Sequence, residues 1–243
     1  MRAARTTFEM GLREYARTPV LLALLVFLPA YFVAVFARVM PDETVPVEVG
    51  GELVRVGMEA VVATLMTPMA AALVGGIAGL FLLRSAGTTD ARLSVVGATV
   101  PELLAARGGV LALAAVVASA VATGVMAVTH VPENPGWFVV ATVLAGLLYG
   151  TLGALVGLVL SRLAGVYVLM FAPLLDIFLA QSPLSTETHA VAPYLPGHYP
   201  MELAFDAAFT AGVDPAPLLW GVVYLAVVAA VTALAFRRTL QVG

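Results

Sequence analysis

Residues 84–108, RSAGTTDARLSVVGATVPELLAARG, carry five charged side chains between two long runs without a charged residue. The run before this stretch is Ala60–Leu83, and the run after it is Gly108–Thr129. About 20 helical residues cross the roughly 30 Å of hydrocarbon in a bilayer, and both runs are longer than that. The stretch therefore predicts a water-exposed connection between two membrane spans.

The composition of the whole chain indicates the same class of protein. Of 243 residues, 61% are hydrophobic and 11% are charged, and the mean hydropathy is +1.02. Such values are far from those of soluble domains. We expect an all-α polytopic membrane protein that forms a single transmembrane domain over residues 1–243. The six predicted spans are Val20–Val39, Ala60–Leu83, Gly108–Thr129, Trp137–Leu160, Ala164–Gln181 and Pro217–Phe236.

Arginine sets the predicted orientation. If the N-terminus lies in the cytoplasm, all basic residues except Arg38 and Arg55 fall on the cytoplasmic side. This distribution follows the positive-inside rule, and it places both termini and residues 84–107 in the cytoplasm. A nucleic-acid partner would need a basic patch beyond the membrane ends, and the sequence offers none.

The segment between the second and third spans carries signals for a short helix. Thr89 is a candidate N-cap for a helix that begins at Asp90, and Gly97 is a candidate end. Leu93 and Val96 share one face of this two-turn helix. An apolar face on a cytoplasmic helix favours docking on a partner. The alternative is a loop whose charges only keep it in water.

A second helix start follows directly. Thr99 and Glu102 have the spacing of a capping box, with Pro101 in the first turn. The third span is therefore predicted to begin in the cytoplasm and to enter the membrane past Arg107.

Several stretches resemble the membrane permease subunit of ABC transporters of the ABC-2 type, and the resemblance covers nearly the whole chain. EMGLREYARTP, near the N-terminus, is similar to the family's amphipathic interfacial helix, which corresponds to residues 1–18 here. Phe8, Leu12 and Tyr15 share one face of it, as an interfacial helix requires. RSAGT, followed by ELL and a further arginine, resembles the family's coupling segment between the second and third spans.

The loop between the fifth and sixth spans, residues 182–216, extends the resemblance. It is too polar to cross the membrane and too rich in proline to be one helix. Residues 200–211 still have helical periodicity, and LPGHYPMEL is similar to the family's short helices that dip part-way into the outer leaflet. The predicted apolar face is Met201, Phe205, Ala208 and Phe209, and the predicted acidic face is Glu202 and Asp206.

The resemblance implies an exporter in the plasma membrane. It implies a second permease copy or a homologous permease as a dimer partner, and two copies of a separate ABC ATPase subunit. That ATPase would use ATP and Mg²⁺, whereas this chain would be no enzyme and would bind no cofactor. The implied ATPase-coupling residues are Asp90, Arg92, Leu93, Val96, Glu102 and Arg107. The family handles drugs, lipids, glycans, peptides and ions, so the substrate stays open.

Asp176 is the main candidate for a functional residue inside a span. An ionisable group at membrane depth is costly, which favours a role in translocation or gating. Met201, Phe205 and Phe209 are candidates for the same role through the resemblance. The alternative is that Asp176, five residues before Gln181, lies near the outer interface and is solvated.

Signatures of catalysis and of metal binding are weak. The sequence contains no GxxxxGK[ST] phosphate loop, no HExxH pair and no cysteine, so we predict no catalytic or metal site. The outer loop carries metal-ligating side chains without a fixed spacing, and solvated loop residues are the favoured interpretation. These side chains are Glu187, His189, His198 and Glu202.

Small residues recur along two spans and predict close helix packing within the chain, with a dimer contact as the alternative. They are Gly75 and Gly79 in the second span and Gly146, Gly150, Gly153 and Gly157 in the fourth.

Two other classes of function stay open. One is a stand-alone secondary carrier or channel, and the other is a membrane assembly or signalling subunit that transports nothing. Dependence of the activity on an ATPase distinguishes the carrier from the permease.

Overall fold

The computed structural model describes residues 19–95, 100–184 and 190–242. The predicted interfacial helix at residues 1–18, with Phe8, Leu12 and Tyr15, lies outside the described residues, and so does Val96.

The described chain is mostly helical, and its elements follow the predicted order of spans. The helices are α1 (Pro19–Val39), α2 (Met58–Val95), α3 (Val100–Met126), α4 (Pro135–Val159), α5 (Arg162–Pro173), α6 (His198–Phe209) and α7 (Ala216–Val242). A π-helical turn (Leu174–Ala180) continues α5, a 3₁₀ turn (Ala192–Tyr194) precedes α6, and two strands, β1 (Thr44–Val49) and β2 (Glu52–Gly57), lie between α1 and α2.

Five of the described helices are long and apolar enough to cross a membrane. They are Met58–Leu83, Pro101–Met126, Pro135–Val159, Arg162–Ala180 and Ala216–Arg238. The chain is therefore a multi-pass helical membrane protein, as its composition predicts. Within α1 the described apolar part is Leu25–Phe36, and the count of six spans stays a prediction.

Helix α2 forms the centre of the bundle. Every residue from Val61 to Leu80 is buried, and α1, α3, α4 and α5 all pack against this helix. A helix that is apolar all round is buried in protein or faces lipid, and here protein neighbours cover it. The second predicted span is thus the element around which the others are arranged.

Glycines bring α2 and α4 into backbone contact. A Cβ atom added to Gly79 would lie 1.9 Å from the carbonyl oxygen of Gly150. One added to Gly75 would lie 2.2 Å from the carbonyl oxygen of Gly146. No side chain fits at such distances, so the two helices approach this closely only because these positions are glycine. The prediction that these glycines pack helices within the chain is confirmed.

The predicted break before Asp90 is wrong. Helix α2 is a single helix of 38 residues that runs through Thr89 to Val95. Gly87 inside it costs only about 1 kcal/mol relative to alanine, and a threonine that is able to cap a helix is also tolerated within one. The residues after Leu83 extend the helix by about 18 Å at 1.5 Å per residue.

The helix of the third predicted span starts where the capping signals place it, and its cytoplasmic location stays a prediction. Helix α3 begins at Val100 and carries Glu102 in its first turn.

A β-hairpin, which the sequence reading did not predict, follows α1. Strands β1 and β2 pair antiparallel with Thr44 opposite Gly57. Gly50 and Gly51 form the turn with φ values of +59° and +80°, a conformation that glycine adopts without strain. Val47 is fully buried in the cluster that includes one face of α6. We refer to this side of the molecule as the hairpin end.

Helix α6 confirms the helix predicted at residues 200–211, displaced by two residues. Most of its side chains are buried, including Asp206, which is 9% exposed. Asp206 accepts hydrogen bonds from the Thr210 hydroxyl and from the Asp214 N–H, each at 2.7 Å. It therefore shapes the turn after the helix, and it is buried although it lies one turn from the exposed Glu202.

Substitution of Gly79 with alanine tests the α2–α4 contact. The new Cβ would force two backbones apart, so we expect the free energy of unfolding to fall by about 1–3 kcal/mol. Gly124→Ala is the matched control because nothing lies within 4 Å of its added Cβ, and alanine favours helix by about 1 kcal/mol. Thermal unfolding in detergent measures both. Equal effects of the two substitutions would contradict the contact.

Candidate functional site

Asp176 lies in the π-helical turn that continues α5. Pro173, just before the turn, has no N–H to donate, which disturbs the regular helical bonding. The next backbone bonds span five residues, as from the N–H of Gln181 to the carbonyl of Asp176 at 3.0 Å. Such turns are frequent at functional sites. The Asp176 side chain is 5% exposed, so the alternative of a solvated carboxylate does not apply.

Three neutral groups donate hydrogen bonds to the Asp176 carboxylate. Oδ2 accepts from the hydroxyl of Tyr149 on α4 and from the N–H of Gly197, at 2.7 Å. Oδ1 accepts from Nε2 of Gln181 at 3.2 Å. A carboxylate withdrawn from water is tolerated only with such partners. The side chain thereby joins α4, the fifth span and the N-terminus of α6.

Gln181 extends these contacts towards α6. Its Nε2 also donates to the carbonyl of Ala192 at 2.9 Å, and its Oε1 pairs with Nδ1 of His198 at 3.2 Å. Nε2 of His198 lies 3.8 Å from the Glu202 carboxylate. The Asp176 network, defined as Tyr149, Asp176, Gln181, Gly197 and His198, thus runs from inside the bundle to the first turn of α6.

Gly197 fits against Asp176 only because it lacks a side chain. A Cβ at this position would lie 2.8 Å from both Oδ2 of Asp176 and Cγ1 of Ile177. Both atoms belong to buried residues of the π-helical turn. The glycine therefore allows the loop before α6 to place its N–H on the carboxylate.

A cleft of about 600 Å³ lies beside the network. One wall is α4 and the other is α5 with the π-helical turn, while the segment before α6 covers one end. The lining is apolar apart from Asp176 and Tyr149, and consists of Tyr149, Leu152, Val156, Val168, Leu169, Ala172, Leu175, Asp176, Leu179, Ala180, Val191, Leu195 and Pro196.

The other residues predicted for translocation do not line this cleft. Met201 and Phe205 are buried in the core between α6, the hairpin and the bundle. Phe209 is half-buried and stacks on His130, with ring centroids 5.2 Å apart. The structure therefore separates these residues from Asp176, and a role for them in translocation stays a prediction.

The predicted coupling residues lie on two helices. Asp90, Arg92 and Leu93 fall in the last turns of α2, and Glu102 and Arg107 in the first turns of α3. Arg107 is buried, with 6% of it exposed. It is thus a packed side chain, and its role in coupling stays a prediction.

The partners of Asp176 that sequence reasoning missed are Tyr149, Gln181 and Gly197. Of these three residues, only Gln181 is close to Asp176 in the sequence, five residues after it, so only Gln181 could have been identified as a neighbour from the sequence. Within the described parts of the chain, no group of three His, Cys, Asp or Glu side chains is suited to a metal ion, and Glu187 and His189 lie outside those parts.

Comparison with known proteins gives no further assignment, because no protein-family model and no curated protein matches this chain. We therefore infer the function from the residues and their geometry.

Tyr149→Phe tests the hydrogen bond inside the bundle. Removal of the hydroxyl leaves a buried carboxylate with one donor fewer, so we expect the free energy of unfolding to fall by about 1–3 kcal/mol. The control is Tyr224→Phe, whose hydroxyl donates to the Tyr194 carbonyl at 3.2 Å near the surface, with an expected loss below about 1 kcal/mol. Thermal unfolding in detergent measures the loss of stability in Tyr149→Phe and in Tyr224→Phe. A loss no greater for Tyr149→Phe than for the control would contradict this role.

Gly197→Ala tests the fit of the loop on Asp176. We expect the added methyl group to displace the loop, so that backbone amides of residues 190–197 exchange with deuterium faster than in the wild type. Gly212→Ala is the control, since nothing lies within 4 Å of its Cβ. Hydrogen–deuterium exchange followed by mass spectrometry measures these exchange rates in both variants and in the wild type. Unchanged exchange in Gly197→Ala would show that the close contact is not required.

Proposed function

We propose that this chain is the membrane-spanning permease subunit of an ATP-driven ABC-2 type exporter in the plasma membrane. Two permease copies, or this chain and a homologue, form the translocation path, and two separate ATPase subunits supply the energy. Six spans, with α1 as the first, belong to this proposal. The 21 residues of α1 give a length of about 31 Å, enough to cross the hydrocarbon.

The Asp176 network is the observation that carries the proposal. An ionisable side chain at membrane depth is expensive and is retained mainly for function. Here it connects α4 and the fifth span to α6, in the part of the chain where the resemblance predicts short helices near the substrate exit. Movement of either span would therefore move α6 as well.

Helix α2 supports a route by which an ATPase acts on the spans. Its extension past Leu83 by about 18 Å carries Asp90, Arg92 and Leu93 on the helix that forms the centre of the bundle. The glycine contacts make α2 and α4 move together, because the backbones leave no space between them. A displacement at the end of α2 would thus reach Tyr149 on α4 as a rigid-body motion.

A stand-alone carrier is the second candidate, and one observation favours it. Asp176 lies in a helix interrupted after Pro173 and lines a cleft formed within a single chain. Interrupted helices that carry an ionisable group near a cavity are typical of secondary transporters. Such a carrier would work without an ATPase.

Extraction of the tagged protein from its native membrane in mild detergent distinguishes the two candidates. For the permease we expect an ATP-hydrolysing subunit to co-elute in a one-to-one ratio. We expect Leu93→Asp to weaken that association, because a charge would replace an apolar side chain of the predicted docking surface. Quantitative mass spectrometry of the eluate measures the ratio.

Leu53→Asp is the matched control. Leu53 is 76% exposed on the hairpin, away from the end of α2, so the same change in chemistry should leave the association intact. Elution of the protein alone under several gentle conditions would overturn the permease and favour the carrier. Equal loss of the ATPase in both variants would contradict docking through α2.

A further inference from the structure

The cleft beside Asp176 has the dimensions of a small-molecule site. Its volume is about 600 Å³, and sites for organic ligands usually measure about 300–1,000 Å³ with apolar walls and few polar groups. From Tyr149 to Val156 on α4 the lining extends about 10 Å along the helix axis. A ligand of this size would bury an aromatic ring or a short alkyl chain.

Asp176 retains capacity for another donor. A carboxylate accepts about four hydrogen bonds, two at each oxygen. Oδ2 accepts two, from Tyr149 and Gly197, whereas Oδ1 accepts one side-chain bond, from Gln181. All three direct donors are neutral, and His198 reaches the carboxylate through Gln181. A positively charged donor would therefore find a free acceptor position on this carboxylate.

The mouth of the cleft opens on the side of the fifth span. Val168, Leu175 and Leu179 on this span are 44%, 55% and 49% exposed. In a crossing helix such apolar side chains contact hydrocarbon. A ligand would therefore arrive from the bilayer, which requires an apolar body.

We propose that the cleft binds a small amphiphilic primary amine, with its ammonium group on the Asp176 carboxylate and its apolar body between α4 and α5. A phospholipid with an amine headgroup fits less well, because its phosphate would lie against walls that contain no basic side chain. The site belongs to the isolated chain and does not rest on association with an ATPase.

Calorimetric titration of the purified full chain in phosphatidylcholine nanodiscs tests the site. The probes are 1-naphthylmethylamine, protonated at pH 7, and 1-naphthylmethanol, which has the same shape without the charge. Empty nanodiscs correct for partition into lipid. Because charge-assisted hydrogen bonds are about twice as strong as neutral ones, we expect the amine to bind at least about tenfold more tightly, equivalent to about 1.4 kcal/mol.

Two variants locate the binding. Asp176→Asn keeps an acceptor for Tyr149 and Gly197 but removes the charge, so we expect the preference for the amine to disappear. Val168→Trp fills the cleft from its exposed side and should weaken both probes about tenfold or more. Val227→Trp, at a position on α7 that is 58% exposed, is its control and should weaken neither.

The proposal is overturned if the wild type binds neither probe or binds both equally. It is also overturned if folded Asp176→Asn keeps the preference, or if Val168→Trp binds both probes as the wild type does. If Asp176→Asn does not fold, the proposal is judged by the difference between the two probes in the wild type and by the loss of binding in Val168→Trp. Loss of amine binding in nanodiscs that contain phosphatidylethanolamine would assign the cleft to lipid and would contradict a small-amine site.

Discussion

A carboxylate buried away from water must receive its hydrogen bonds from the protein. Asp176 meets this requirement by drawing three separate parts of the chain together. Tyr149 comes from α4, Gln181 from the end of the fifth span and Gly197 from the segment before α6. The position of α6 at the hairpin end is therefore tied to one side chain inside the bundle.

The network and the glycine contacts form one continuous mechanical path. Glycine brings the backbones of α2 and α4 together on one side of α4, and Tyr149 on the same helix binds Asp176. The contact between α2 and α4 is backbone against backbone, and the contact between α4 and the fifth span is a buried hydrogen bond. Neither pair of helices therefore has room to slide independently. For the proposed exporter, this path connects the end of α2, where an ATPase would act, to α6.

The sequence predicted features that depend on local pattern and missed those that depend on distant partners. Hydrophobic length is a local property, so five of the predicted spans overlap long apolar helices of the structure, and the α6 region follows from periodicity. The break before Asp90 was wrong because capping residues are only weak signals against a long helix. The hairpin had its own signal in Gly50-Gly51, which was overlooked. Tyr149 and Gly197 lie 27 and 21 residues from Asp176, and nothing local marks them as its partners.

The most direct test measures whether Asp176 holds α6 against the bundle. The chain contains no cysteine, so spin labels can be attached at Glu202→Cys on α6 and Val140→Cys on α4 without background, both at exposed positions. Double electron–electron resonance gives the distribution of the label-to-label distance. A narrow distribution that broadens or shifts when Asp176→Ala is added is the predicted result. The same narrow distribution with and without Asp176→Ala would contradict the account.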